Sequence, residues 1–174
     1  MQLEDLFGNK KMLLILGYLI GHEDVIQREL IEKAGVSKAT VIKWLDSLEK
    51  EGFITKKRIG SASIVNLNNE DVLITGLKKI KILLELRGIK KPDSSEVYVY
   101  GSCARGDYSK DSDVDLLVIG KAKRAELIRH IESLSRKIGR KINFNIFTEF
   151  EWSKMAKGDK AFYERVEKDK VRLE

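Results

Sequence analysis

The residues best suited to chemistry gather between Tyr100 and Leu116. Gly101 and Ser102 close one β-prone segment, Asp113 and Asp115 open the next, and Arg105 lies between them. A glycine lets the backbone approach a phosphate without a Cβ in the way. A serine adds a hydroxyl and its own N–H. Two acids one residue apart on a strand project to the same face, and carboxylate oxygen suits a hard cation such as magnesium. Taken together, these types in this order describe phosphate held beside a divalent ion. Taken singly they are ordinary: Gly-Ser makes many strand-to-helix turns, and Asp111-Ser112-Asp113 is a common polar turn. Their register between two β-rich segments favours the phosphate-and-metal reading. Asp107 and Asp111 read as loop acids. Cys103 has no histidine near it in sequence and reads as a packed side chain. His22 and His130 read as surface or packing residues.

The elements that must position this site are legible from periodicity. Glu96–Tyr100 alternates as a strand, and Ala104-Arg105-Gly106 starts a short helix or turn. Val114–Ile119 reads as a buried strand. Arg124–Ile138 is an amphipathic helix with Leu127, Ile131, Leu134 and Ile138 on one stripe, ended by Gly139. Lys141–Phe147 alternates again, and Phe150–Lys157 suits a short helix. Phe162–Leu173 is charged, with Val166, Val171 and Leu173 as apolar punctuation.

The first half has a different rhythm. Lys10–Ile20 and Asp24–Ala34 read as helices, the second with Ile26, Leu30 and Ile31 as its stripe and Gly35 as its stop. Ser37 stands at an N-cap position before a third helix, Lys38–Glu51, with Val41, Leu45 and Leu48 on one face. Phe53–Arg58 and Ser63–Leu67 form a hairpin about Gly60-Ser61. This order resembles the winged helix-turn-helix family over Lys10–Leu67. The resemblance implies that Ser37, Lys38, Thr40 and Lys43, in the N-terminal half of the third helix, face a DNA groove. It also implies that Lys56, Lys57 and Arg58 on the wing touch phosphate. Trp44 suits either the core or the exposed face beside Lys43.

Asp71–Gly88 reads as a long connecting helix with Leu73, Leu77, Ile80 and Leu84 on one face, either joining two domains or forming a homodimer seam. The chain's single proline, Pro92, sits in a polar cluster that marks a boundary. The expected organisation is therefore a winged helix at 1–70, a connector at 71–91 and a second domain at 92–174.

Composition bounds the partners. A net charge of +6 on 174 residues points to a polyanion such as DNA. No apolar run approaches a membrane span, and the acidic start Met1–Asp5 lacks the features of a secretory signal. One cysteine rules out an internal disulfide, so a cytoplasmic setting is expected. Abundant Lys, Glu and Arg, with Gln only at Gln2 and Gln27, leans toward a thermophile.

The motif Gly101-Ser102, ten residues, Asp113-Val114-Asp115, with Ala104-Arg105-Gly106 inside it, resembles the minimal nucleotidyltransferases of the polymerase-β superfamily over Glu96–Trp152. The expected fold is therefore α+β: an N-terminal winged helix-turn-helix, then a small polymerase-β-like nucleotidyltransferase domain with a mixed sheet. The resemblance implies an NTP substrate and Mg2+ or Mn2+. It implies phosphate binding by Gly101, Ser102 and Arg105, the arginine either neutralising phosphate or pinning the loop through its fork of donors, with Asp113 and Asp115 as catalytic metal ligands. It also implies transfer of a nucleoside monophosphate to a protein or nucleic-acid acceptor. Active members carry a third acid on the later strand, where this chain has Asn143 and Asn145 on one face. An amide can ligate through its carbonyl but cannot take a proton as a base. Three readings follow: a nucleotidyltransferase coupled to DNA binding, a weak or inactive DNA-binding regulator that senses nucleotide, and an antitoxin-like subunit that binds a partner protein.

Overall fold

The structure is a computed structural model that describes residues 7–173; the acidic segment Met1–Asp5 lies outside them. The chain divides into two compact units, one ending at Thr75 and the other starting at Gly76.

In the first unit, helix α1 (Lys10–Ile20) starts where the Asn9 side chain accepts from the Lys11 and Met12 N–H groups, and it buries Met12, Ile15, Leu16 and Leu19. The segment expected as one helix from Asp24 is instead a short strand, β1 (Val25–Ile26), followed by α2 (Gln27–Lys33). Two contacts override the helical pattern. Val25 is buried opposite Val65. Asp24 sits at φ 49° and is pinned by Asn66, whose Oδ1 accepts the Asp24 N–H at 2.7 Å while its Nδ2 donates to the Asp24 carboxylate at 2.9 Å. Of the expected α2 stripe only Leu30 is fully buried, and Ile26 is exposed.

Helix α3 (Lys38–Lys50) is capped by the Ser37 hydroxyl, which accepts from the Thr40 N–H, and it buries Val41, Leu45 and Leu48 as its periodicity requires. Strands β2 (Ile54–Ile59) and β3 (Ala62–Leu67) form the antiparallel wing, and the sheet order is β1-β3-β2. This arrangement is a winged helix-turn-helix.

Helix α4 (Val72–Leu86) runs across the division between the units. Asp71 caps it through bonds from the Leu73 and Ile74 N–H groups. The stripe Leu73, Leu77, Ile80 and Leu84 read from the spacing is not the buried one. Leu73, Ile80 and Leu84 are exposed, while Ile74, Lys78, Ile82 and Leu86 are buried. The helix is apolar on more than one face, so periodicity alone could not choose between them.

The second unit continues with β4 (Ser95–Tyr100), α5 (Gly101–Arg105), β5 (Val114–Gly120), α6 (Arg124–Ile138) and β6 (Ile142–Phe147). It ends with α7 (Glu149–Gly158), α8 (Lys160–Asp169) and β7 (Val171–Leu173). The sheet order is β6-β5-β4-β7; β5 and β6 are parallel and the other pairs antiparallel, so the sheet is mixed. β7 is three residues long, too short for a period to show in the sequence. It pairs with β4 through Val97–Leu173 and Val99–Val171.

Residues in register across these strands share a face. One row runs Tyr100–Asp115–Asn143, and the next runs Tyr98–Leu117–Asn145. Helices α7 and α8 cover the same face with a cluster of Tyr100, Leu117, Ile119, Trp152 and Val166, flanked by Phe147 and Phe162. Apolar side chains thus seal one end of this face, and Asp113, Asp115 and Asn143 occupy the other. Among the described residues no helix is long and apolar enough to cross a membrane.

Candidate functional site

The two acids lie at the start of β5, half-buried and on one face. Across the parallel pair, Asn143 stands in register with Asp115. Its Nδ2 donates to Asp113 Oδ2 at 3.1 Å and to Asp115 Oδ1 at 3.2 Å. Lys141, just before β6, donates its ammonium to the same Asp113 oxygen at 3.2 Å. The Asn143 amide and the Lys141 ammonium hold the Asp113 carboxyl below its ordinary value. Asn145 lies one pleat further on and donates to the Tyr100 hydroxyl at 3.1 Å, so Asn143 is the amide that meets both acids. Glu149 and Glu151 do not supply the missing carboxylate. Glu151 closes a capping box with Thr148 at the start of α7, and Glu149 lies beside Ile119, at the far end of β5.

Gly101 links the turn to the acids. Its φ is +72°, and a Cβ at this position would lie 3.4 Å from Asp115 Oδ2. Ser102 follows, half-buried, and its carbonyl accepts from the Gly106 and Asp107 N–H groups. Cys103 is fully buried and donates its thiol to the Asp113 carbonyl at 3.5 Å. Burial pushes the thiol up to about 11, which suits a packing role. Arg140, absent from the sequence reading, ties down the loop before β5. Its guanidinium donates to the Ser109 and Ser112 carbonyls at 2.9 and 3.0 Å and lies over the Tyr108 ring. No sequence signal marks it beyond its place one residue after Gly139.

Arg105 does not point freely at the site. Its Nε donates to Asp107 at 2.9 Å and its Nη1 to Asp169 on α8 at 2.6 Å. Two carboxylates therefore neutralise it, and it fastens α5 to α8.

A divalent cation is the natural partner of Asp113 and Asp115, so the donor set matters. Among the described residues no group of three or more His, Cys, Asp or Glu side chains gathers as a metal site. Two carboxylates do converge, on the Asn143 amide hydrogens. A single cation with phosphate oxygens completing its shell fits that donor set. A pair of ions held by three carboxylates does not.

In the first unit, Ser37 and Thr40 bond to each other through their hydroxyls at 2.9 Å at the start of α3. Lys38 and Lys43 are exposed, and Lys43 lies over the half-buried Trp44 ring. The three basic wing residues separate into two kinds. Lys57 and Arg58 are exposed. Lys56 is folded back onto α3 between Asp46 at 2.5 Å and Glu49 at 2.9 Å, with its side chain only 17% exposed.

Residues 78–172, more than half of the chain, match the nucleotidyltransferase domain family. The chain belongs to that family. Residues 12–60 match the MarR family. Among solved structures, the chain is similar to the PcaV transcriptional regulator from Streptomyces coelicolor, solved with its natural ligand. That likeness has 23% identity and a TM-score of 0.34, and it covers 36% of this chain and 46% of that one. The chain therefore spans less than half the length of that regulator. A second likeness is to a nucleotidyltransferase candidate from Sulfolobus solfataricus, with 30% identity and a TM-score of 0.31, covering 56% of this chain and 84% of that one. No curated protein matches the chain.

Proposed function

We propose that the second unit binds a nucleoside triphosphate together with one divalent cation at Asp113 and Asp115, and that the first unit binds DNA. In this reading the chain is a DNA-binding regulator that responds to nucleotide, with at most slow nucleotidyl transfer. The observation that carries it is the row Asp115–Asn143: the family's acid pair is intact, and an amide stands where a third carboxylate would complete the site.

Asp113 and Asp115 would hold magnesium or manganese, which supplies positive charge beside the phosphates. Ser102 supplies a hydroxyl and Gly101 an approach without side-chain obstruction. Asn143 orients both acids through its amide hydrogens but cannot accept the proton of an incoming nucleophile. Lys141 is paired with Asp113 at 3.2 Å. Losing a charge-stabilising group of this kind costs on the order of 100- to 1000-fold in rate. On DNA, Lys38 and Lys43 lie along the exposed side of α3 and Lys57 and Arg58 along the wing, as a groove-and-phosphate contact needs.

The test measures the two activities side by side. DNA affinity of the full chain is titrated with and without ATP or GTP and magnesium, and transfer of label from NTP is followed in the same samples. The expected result is a nucleotide-dependent change in DNA affinity with little or no label transferred. Rapid labelling that depends on Asp113 and Asp115 would restore the full-enzyme reading. DNA affinity indifferent to every nucleotide would end the regulatory one.

A further inference from the structure

We infer that Arg165 on α8, rather than Arg105, is the side chain that takes the nucleotide's triphosphate; the inference rests on the nucleotide-binding reading above. The argument begins with helical spacing. Phe162, Arg165 and Asp169 lie at i, i+3 and i+7, on one face of α8. Both outer positions are anchored beside the site. The Phe162 ring meets the Tyr100 ring edge-on at 6.1 Å, immediately before Gly101. Asp169 holds Arg105, the last residue of α5, at 2.6 Å. The face between these anchors therefore runs alongside Gly101–Arg105; Val166 is buried along it, and Arg165 stands at its exposed margin.

Arg165 also lies on the correct side of the sheet. Tyr100 is in register with Asp115, and α8 packs on the face that carries the acids. Burial pushes the Tyr100 hydroxyl up and the Asn145 amide pulls it down; Asp115 then raises it and Arg165 lowers it, so both charges act on one ring. Arg165 is exposed and rests over the Phe162 ring at 5.5 Å. Among the described residues it forms no salt bridge, whereas Arg105 has two carboxylate partners. A guanidinium without a carboxylate partner among the described residues, held over the ring that packs on Tyr100, suits phosphate oxygens.

The experiment titrates the full-length protein with ATP and with AMP, both with magnesium, by calorimetry. Arg165→Ala is expected to weaken ATP binding about 10- to 100-fold, as expected for a lost charge-assisted contact, while AMP binding changes less than about twofold. Arg165→Lys should recover part of the loss, because it keeps the charge and loses the fork. Arg136→Ala, an exposed change on α6, should match wild type and so excludes a general charge effect. ATP binding by Arg165→Ala equal to wild type overturns the inference and leaves the nucleotide site standing. Equal loss of ATP and AMP overturns it as well, since the residue would then not read phosphate number. No binding of either nucleotide by wild type removes both readings together.

Discussion

Asn143 stands directly across the β5–β6 pair from Asp115 and donates its amide to that carboxylate at 3.2 Å. The same amide reaches Asp113. One neutral side chain therefore sets two hydrogen bonds against the repulsion between neighbouring acids, and it occupies a position in the row from which a third carboxylate could act.

Asn143→Asp reverses that exchange. Three carboxylates would crowd one corner with the amide donor gone and the Lys141 ammonium left on Asp113, so the metal-free protein should lose stability, by about 1–3 kcal/mol. Magnesium or manganese should recover that loss and raise the melting temperature of the variant more than that of wild type. Thermal melts with and without metal check both signs.

Gly101→Ala tests the approach to Asp115. The residue adopts φ +72°, and its new methyl would come into van der Waals contact, 3.4 Å, with the Asp115 carboxylate. A stability loss of about 1–2 kcal/mol is expected from the left-handed backbone alone. Nucleotide affinity should fall further than that loss implies, because the methyl stands where a phosphate would come close. Chemical denaturation and nucleotide titration separate the two effects.

The wing residues should divide by role. Lys57→Ala with Arg58→Ala is expected to flatten the dependence of log DNA affinity on log salt by about two phosphate contacts. Lys56→Ala should change that slope much less. It should instead cost about 0.5–1 kcal/mol of stability by releasing Asp46 and Glu49 from their shared partner. Equal slope changes for all three would show that Lys56 leaves α3 to meet DNA.

Cys103 should be unreactive in the folded chain. With its thiol raised to about 11, only about one molecule in a thousand is thiolate at pH 8, against roughly a quarter for an ordinary thiol. Alkylation should therefore run at least about 100-fold slower than in denaturant. It should accelerate as pH rises toward 11, since the proton that protects the sulfur is lost there. Fast labelling at pH 8 would mean that the turn after β4 opens.

Much of this architecture is legible in the sequence because local signals and tertiary packing agree. Ser37 as a cap, the Val41-Leu45-Leu48 stripe, the Arg124–Ile138 helix and its Gly139 stop all follow from spacing and turn chemistry. That the two acids share a face follows from the strand period. What escapes is decided at a distance. Val25 joins a strand because Val65 is opposite it, and Asp24 holds its turn because Asn66 grips it. The choice of buried face on α4 depends on what covers it, not on its own periodicity. Lys56 looks like a wing cation until α3 brings Asp46 and Glu49 beside it. Arg105 suits phosphate or a loop-pinning fork equally in sequence, and its partner Asp169 lies 64 residues further on.

The central claim, that Asp113 and Asp115 hold a metal–nucleotide complex, is tested most directly by calorimetric titration of ATP and GTP with magnesium into wild type and into the Asp113→Ala, Asp115→Ala double variant. The account predicts saturable binding to wild type for at least one nucleotide, dependent on the metal and lost in the double variant. No binding to wild type, or affinity unchanged when both acids are removed, would contradict it.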